Sequence, residues 1–320
     1  MTILCTGSVA FDYLMSFPGY FRDHIIPEKL ETISLSFLVD SMVRQRGGVA
    51  PNIAYNLALL GEKPRLLATV GEDFEEYRVW LEEHGVDTKY VKVIPGKYTA
   101  SFFANTDKSN AQIASFYTGA MANAAELRIR DANIKDISLV VISPNSPEAM
   151  AEYPVECQKL KIPYLYDPSQ QIVRMDKETL RKGVEGADSL FCNEYEFELL
   201  QNATEMKAND ILKKVRFMVI TQGKDGALVF AEGKKYVIPV FPPSQILDPT
   251  GVGDAFRGGF LSGLTLNLDW QTCGQMGSLA ATYCLERRGT QNHTYTREEF
   301  IERYRTQFDD QGALDALLKR

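Results

Sequence analysis

The chain has 320 residues, of which 45% are hydrophobic and 24% charged, so it is long enough for one large domain with a smaller attachment. Its formal net charge of −7 argues against a protein that grips nucleic acid through a basic surface. The five cysteines form no C-x-x-C pair and mostly lie among apolar residues, which predicts buried, reduced thiols.

The N-terminal segment is apolar from residue 2 to residue 7, and no basic residue precedes this run. It therefore predicts a buried strand rather than a signal peptide. No apolar run in the sequence approaches the roughly 18 residues that a membrane-spanning helix requires. We therefore expect a cytoplasmic protein without a membrane partner.

Short apolar runs and helical patterns then alternate along most of the chain. Further buried strands are predicted at residues 65–71, 138–143, 164–167, 189–193 and 217–221. Helices are predicted at residues 51–61 and 72–85, between the later strands, and over most of the chain after residue 251. This alternation is typical of an α/β fold with a mostly parallel central sheet and helices on both faces.

Two segments, residues 11–46 and 94–118, depart from this alternation. Both show alternating apolar and polar residues with turn-like interruptions, which predicts antiparallel strands in a small β lid beside the main sheet. The alternative is that they are long hairpins within the core domain. The predicted division gives residues 1–10, 47–93 and 119–320 to a large nucleotide-binding α/β domain, and the two segments to a discontinuous lid domain.

The stretch D-P-T-G-V-G-D-A-F-R-G-G-F, residues 248–260, surrounds one aspartate with glycines. It fits a strand end, a glycine turn and a helix start, where the backbone N–H groups of Gly251, Val252 and Gly253 can bind an anion. The positive end of the helix favours the ionised form of Asp254. The stretch therefore predicts a phosphate site beside a carboxylate that can accept a proton. The alternative is a glycine-rich helix start that only packs.

The same stretch resembles the signature of the ribokinase (PfkB) family of sugar and nucleoside kinases. Three other pieces agree with it in family order: G-G-V-A-P-N at 47–52, N-E-Y-E at 193–196 and T-Q-G-K-D-G at 221–226. Within the family the chain is most similar to the bacterial adenosine kinases, as in T-G-S-V-A-F-D-Y-L-M-S-F-P-G and D-P-S-Q-Q. The resemblance covers essentially the whole chain and implies a ribokinase-like fold.

For the phosphoryl acceptor, the resemblance implies a purine nucleoside. It assigns the ribose hydroxyls to Ser8, Asp12, Gly48 and Asn52. It assigns the purine to the stacking rings of Phe102 and Phe116 and to the hydroxyl of Ser36, and either part of the nucleoside to Gln170 and Gln171. Packing within the lid is the alternative for the two phenylalanines, and a solvated turn is the alternative for the two glutamines.

For the phosphoryl donor, the resemblance implies ATP with Mg²⁺. It assigns ATP phosphates or ribose to Asn193 and Thr221, a backbone cradle to Gly223 and Gly226, and a water-mediated Mg²⁺ contact to Glu196. Taken alone, N-E-Y-E is more typical of a surface helix start, and T-Q-G-K-D-G is as typical of a hairpin turn. Pro249 departs from the common family form D-T-x-G, which leaves a bound K⁺ as an open prediction.

The reaction that the resemblance implies is transfer of the γ-phosphoryl group of ATP to the 5′-hydroxyl of adenosine, giving AMP in purine salvage. Asp254 would be the general base, and the amides of residues 251–253 would stabilise the transferred group. The alternatives are a kinase for inosine, guanosine or a sugar such as fructose, and a non-catalytic nucleotide-binding protein. Known members of the adenosine kinase branch are dimers, which implies a homodimer through the lid.

Overall fold

A computed structural model describes residues 2–32 and 34–320 of the protein. Within these residues the strands are β1 (Thr2–Thr6), β2 (Ala10–Ser16), β3 (Ser41–Gly47), β4 (Arg65–Val70), β5 (Asp87–Val93), β6 (Ala100–Thr106), β7 (Gln112–Tyr117), β8 (Ile137–Ile142), β9 (Tyr164–Tyr166), β10 (Ser189–Asn193), β11 (Phe217–Thr221), β12 (Ala227–Ala231) and β13 (Lys234–Ile238). The helices are α1 (Val49–Leu59), α2 (Glu75–Glu83), α3 (Pro147–Leu160), α4 (Lys177–Glu185), α5 (Glu194–Thr204), α6 (Ala208–Leu212), α7 (Val252–Thr265), α8 (Trp270–Leu285) and α9 (Arg297–Arg305).

The large sheet has the strand order β13-β12-β11-β10-β9-β8-β1-β4-β5. The seven neighbouring strands β11-β10-β9-β8-β1-β4-β5 are parallel to one another, whereas β12 and β13 are antiparallel additions at one edge. All six strands predicted for this sheet are confirmed to within one residue at each end. The sequence pattern missed β5, β12 and β13. Polar residues interrupt β5 and β13, so these two strands do not read as continuous apolar runs, whereas β12 is such a run, A-L-V-F-A, and was missed nonetheless.

The side chains of β1 divide between two hydrophobic cores. Ile3 and Cys5 pack with Ile53 of α1, and Leu4 packs with Tyr153 of α3 on the other face. Because successive residues of a strand point to opposite faces, helices therefore cover both sides of the sheet, as predicted. The five cysteines are buried and form no disulfide within the described residues.

The small sheet has the strand order β3-β2-β6-β7. The pairs β2–β3 and β6–β7 are antiparallel, but β2 and β6 are parallel, so the prediction of a purely antiparallel lid is wrong. The reason is that the chain returns to the large sheet through β4, α2 and β5 before it enters the lid again. Ser36 lies in an irregular part of the first lid segment rather than in a strand. The division into two domains at residues 11–46 and 94–118 stays a prediction.

The helices in the part of the chain that the structure describes fall short of a membrane span in length or hydropathy. None of them is both long enough and apolar enough to cross a bilayer.

Candidate active site

The helix α7 begins immediately after a glycine turn. Gly251 has a φ of 77°, in the left-handed region, and a Cβ atom at this position would lie 2.8 Å from the Cβ of Thr290. The position therefore demands glycine. The first amides of α7 have no preceding helical turn to bond with, so they face outward at its positive end. The amide of Val252 makes one long contact, 3.4 Å, to the carbonyl oxygen of Pro249.

A cavity of about 640 Å³ opens beside this turn. Its wall contains the four residues that the resemblance assigns to ATP and two residues of the α7 turn: Asn193, Thr221, Gly223, Gly226, Val252 and Gly253. Most of the remaining wall is apolar: Ile238, Pro239, Val240, Pro243, Ile246, Ala281 and Leu285. An apolar slot that ends at a helix N-terminus can hold a planar ring and the anionic phosphates attached to it.

The segment T-Q-G-K-D-G is both a hairpin turn and a wall of this cavity. Thr221 ends β11, a single 3-10 turn follows at Gly223–Asp225, and β12 then returns antiparallel to β11. The two alternatives that the sequence left open therefore describe the same loop.

The segment N-E-Y-E is a helix start, with a capping box at the beginning of α5. The Asn193 side-chain oxygen accepts a bond from the Glu196 amide at 2.7 Å, and Oε2 of Glu196 accepts one from the Asn193 amide at 2.8 Å. The hydroxyl of Ser169 donates to Oε1 of Glu196 at 2.8 Å. Each carboxylate oxygen still has a free lone pair, so a water bound to Mg²⁺ can add to this arrangement.

A protein-only cage for a divalent ion is absent from residues 2–32 and 34–320, where no three His, Cys, Asp or Glu side chains gather. Mg²⁺ commonly takes one or two carboxylates and completes its shell with phosphate oxygens and water, so the chemistry of Glu196 is compatible with the predicted water-mediated contact.

The carboxylate of Asp254 lies in the first turn of α7 and contacts α1. Its Oδ2 atom accepts a hydrogen bond from Nδ2 of the buried Asn52 at 2.8 Å. Burial raises the pKa of Asp254 to about 7, although the charge of Arg257 and the bond from Asn52 lower it. The expected preference for the ionised form at the helix N-terminus is thus outweighed by desolvation.

A second buried acid, Asp12 of β2, lies close to the same end of α1. A side chain at Gly47 would meet Oδ2 of Asp12 at 2.7 Å, and Gly48, with a φ of 97°, caps α1 directly afterwards. Burial, and then the charge of Asp248, raises the pKa of Asp12 to about 6. Two acids with raised pKa values therefore flank the start of α1, which is a common feature of functional sites.

The register of the small sheet places the predicted acid and aromatic residues in one row. Asp12 is paired with Phe102, and Phe102 is paired with Phe116. Directly paired residues point to the same face, so both rings share a face with Asp12. Phe116 is 48% exposed, which leaves its ring available to a ligand.

The other predicted acceptor residues differ in their surroundings. The hydroxyl of Ser8 accepts a bond from the amide of Val49 at 3.2 Å and so caps α1. Ser36 and Gln170 are exposed, whereas Gln171 is buried and its Oε1 has no hydrogen-bond partner among the described residues.

Sequence reasoning missed a buried ion pair beneath Asp254. Nε of Arg257 lies 2.7 Å from Oδ2 of Asp167, at the end of β9, and its Nη1 donates to the carbonyl oxygen of Gly253 at 2.9 Å. The pair thereby ties the first turn of α7 to the central sheet. A signal was available, because Arg257 follows Asp254 by three residues and so lies on the same face of the helix.

Sequence reasoning also missed Gln291, which follows α8 and contacts Asn52. Its Nε2 atom donates to Oδ1 of Asn52 at 2.9 Å. The two residues are 239 positions apart, so no local pattern could have joined them.

Comparison with known proteins finds relatives that align with most of the chain. A nucleoside kinase from Methanocaldococcus jannaschii is 29% identical over 306 residues, which cover 94% of this chain and 96% of the relative. A cytidine kinase from Thermococcus kodakarensis is 30% identical over 257 residues, which cover 77% of this chain and 90% of the relative.

A solved structure extends the comparison to the fold. The nucleoside kinase from Burkholderia thailandensis in complex with inosine is 36% identical to this chain, with a TM-score of 0.85 over 96% of this chain and 98% of that one. The predicted ribokinase-like fold is thereby confirmed. Residues 12–297 match the profile of the pfkB family carbohydrate kinases. The chain therefore belongs to the pfkB family of carbohydrate kinases, phosphotransferases with an alcohol as acceptor.

Proposed function

We propose that the protein is an ATP-dependent nucleoside kinase that phosphorylates the 5′-hydroxyl of a purine nucleoside. One observation carries this proposal: a single helical turn separates the two halves of the site. Val252 and Gly253 line the large cavity, and the next residue, Asp254, contacts Asn52 at the start of α1. A donor in the cavity and an acceptor near Asp254 would meet across this turn.

Asp254 is the general base in this proposal. Asn52 donates to its Oδ2 atom, which leaves Oδ1 to accept the proton of the attacking hydroxyl. Since its pKa is raised to about 7, Asp254 is ionised above that pH and protonated below it. The rate should therefore fall as the pH drops below about 7. The amides of Gly251, Val252 and Gly253 would stabilise charge on the phosphoryl group during transfer.

The ribose would lie against Asp12, Gly48 and Asn52, with Ser8 close by through its bond to the start of α1. A carboxylate accepts bonds from two neighbouring hydroxyls, which suits the diol of a ribose.

The base would stack on Phe102 and Phe116, with Ser36, Gln170 and Gln171 as further contacts. Stacking on aromatic rings tolerates any purine. Adenosine, which gives AMP in purine salvage, is the acceptor that the sequence resemblance favours. Inosine is the second candidate, because the Burkholderia thailandensis enzyme was solved in complex with it.

ATP would occupy the large cavity, with its phosphates against Asn193, Thr221, Gly223 and Gly226. Glu196 would hold Mg²⁺ through water, and the ion supplies positive charge that neutralises the phosphate oxygens. A bound K⁺ and a cytoplasmic location stay predictions.

The test is a phosphorylation assay with Mg-ATP and a panel of adenosine, inosine, guanosine, cytidine, ribose and fructose. We expect ADP release with the purine nucleosides and at least tenfold lower kcat/KM with the two free sugars, which lack a base to stack. Preference for a free sugar would contradict the role of the phenylalanines. No ADP release above background with any acceptor would contradict catalysis and favour a nucleotide-binding protein.

The homodimer through the lid is part of the proposal. The face of the small sheet opposite Asp12 exposes four large apolar side chains: Met42, Phe103, Ile113 and Tyr117. Exposed apolar side chains on one face suit burial against a second copy. We expect light scattering to give the mass of a dimer, and Ile113→Asp to give that of a monomer. Val155→Asp, on the exposed side of α3, is the control, and a monomeric wild type would contradict the dimer.

A further inference from the structure

We propose that Gln291 is a positioning residue for phosphoryl transfer, which holds the Asn52 amide so that it aims the Asp254 carboxylate at the acceptor. The inference rests on the proposed role of Asp254 as general base. Gln291 belongs to neither the acceptor residues nor the donor residues that the family resemblance implies.

The order of donors and acceptors along this chain of contacts is dictated by Asp254. A carboxylate only accepts, so the NH₂ group of Asn52 must face it, at 2.8 Å. The opposite end of the same amide, Oδ1, then needs a donor, and Nε2 of Gln291 supplies one at 2.9 Å. Without Gln291, the Asn52 amide could rotate and turn its oxygen towards the carboxylate, where the two would repel.

Burial keeps water from replacing these contacts. Gln291 is 1% exposed and Asn52 is 3% exposed. An amide that is buried at this level depends on its protein partners for orientation, because water cannot satisfy its polar atoms. Removal of one amide therefore changes the orientation of the other, because solvent cannot replace the lost hydrogen bond.

Gln291 also links Asp254, the proposed general base, through Asn52 to β3, the strand that leads out of the lid. Its Nε2 atom donates to the hydroxyl of Tyr77 at 2.5 Å, and that hydroxyl donates to the carbonyl oxygen of Gly47 at 3.0 Å. The neighbouring Thr290 donates from its hydroxyl to the carbonyl oxygen of Arg46 at 2.8 Å. The segment after α8 is thus tied to the end of β3 on one side and to Asn52 on the other.

The bond from Asn52 acts on Asp254 together with several other groups. The charged and titratable side chains that face it come from α7, the end of β9, α5, α2 and α8: Arg257, Asp167, Glu196, Tyr77 and Cys284. Arg257 lowers the pKa of Asp254, whereas Asp167 and Glu196 raise it. Loss of the Asn52 bond removes a lowering contribution, so the pKa of Asp254 should rise further above its ordinary value.

The experiment measures the pH dependence of kcat/KM for the nucleoside from pH 5 to pH 9. Wild type should lose activity below about pH 7, where Asp254 becomes protonated. Gln291→Leu removes the amide and should move this acidic limb upward by roughly one pH unit, with about a fivefold lower rate at pH 7. Gln291→Glu keeps the shape, but its carboxylate attracts the NH₂ group of Asn52 away from Asp254, so its shift should be at least as large.

Tyr295→Phe is the matched control. Tyr295 is buried in the same C-terminal segment, and its hydroxyl has no hydrogen-bond partner in the described part of the chain. The acidic limb of this variant should coincide with that of wild type. Circular dichroism and thermal unfolding of every variant show whether it folds. If both Gln291 variants fail to fold, Tyr77→Phe decides the question, because it frees one side of the Gln291 amide and should shift the limb in the same direction by less.

Two failures can be distinguished. Folded Gln291 variants that lose stability or rate while their acidic limb stays at the wild-type pH would reduce Gln291 to a structural residue and overturn the inference. Asp254→Asn with wild-type kcat would instead contradict the proposed function itself.

Discussion

The proposed site has two halves, a donor half for ATP and an acceptor half for the nucleoside, and they differ in how the chain builds them. The donor half is a preformed cavity of about 640 Å³ with a mostly apolar wall, and its polar positions come from short loops after β10 and β11 and before α7. The acceptor half is a network of buried polar groups from the lid, α1, α7 and the segment after α8. Its two acids have pKa values raised to about 6 and about 7. The donor half would thus bind its ligand mainly through the shape of the cavity. The acceptor half depends on hydrogen bonds between residues that are far apart in the sequence.

The largest expected effect falls on the residue at the boundary between the halves. Asp254→Asn should lower kcat about 10³-fold, because an amide cannot take up the proton of the hydroxyl. Nucleoside binding, measured by calorimetry, should stay within a few-fold, since the bond to Asn52 can persist through the remaining oxygen. Asp210→Asn, an exposed position on α6, is the control. A kcat of this variant within a few-fold of wild type would contradict the role of Asp254 as general base between the two halves.

The ion pair beneath that boundary should matter for stability. Asp167→Asn leaves the charge of the buried Arg257 without its partner, so the free energy of unfolding should fall by about 3–5 kcal/mol. Urea unfolding measures the change. The matched control is Asp188→Asn, which breaks a partly exposed pair with Arg216 and should cost less than about 1 kcal/mol. Equal losses in the two variants would show that burial of the first pair is unimportant.

Two neighbouring phenylalanines that lie on opposite faces of β6 provide a test of the acceptor half. Phe102→Ala should raise KM for the nucleoside about tenfold and leave KM for ATP nearly unchanged, because only the nucleoside would stack on this ring. Phe103→Ala, whose ring stacks on Tyr13 at 4.8 Å on the other face, should leave both values within about twofold. An equal increase in both KM values for Phe102→Ala would argue against base stacking.

The smallest effect is expected when the purine base of the nucleotide that donates the phosphoryl group is changed. The cavity wall is mostly apolar, and its Ser278 and Thr282 hydroxyls already bond to backbone oxygen atoms of Pro239 and Phe241. A pocket of this kind has few free hydrogen-bonding groups that could distinguish one purine base from another. GTP and ITP should therefore support kcat/KM values within about tenfold of ATP. A loss of 10³-fold with GTP would mean that backbone groups read the base, and the donor half would then rest on hydrogen bonds as well.

The same difference explains what could be predicted from the sequence. The residues predicted to bind the donor lie in motifs of four to six consecutive residues, at 193–196 and 221–226, and the structure places them around one cavity. Buried parallel strands were accessible as apolar runs, although the parallel pairing of β2 with β6 was not, since alternation carries no information on strand direction. Gln291 was inaccessible because its partner Asn52 lies 239 residues away. The spacing of Arg257 from Asp254 was a local signal, but the pairing of Arg257 with Asp167, 90 residues away, was not.

The parallel pairing of β2 and β6 has a consequence for the cohesion of the lid. This seam joins two antiparallel pairs, and the residues that it pairs, such as Ala10 and Ala100, lie 90 positions apart in the chain. Each pair alone would be only marginally stable, so the lid holds together only while the seam is closed. Asp12 and Phe102 face each other directly across it. A nucleoside held by both side chains would therefore act as a cross-link within the lid, and the empty enzyme should tolerate a looser lid than the occupied one.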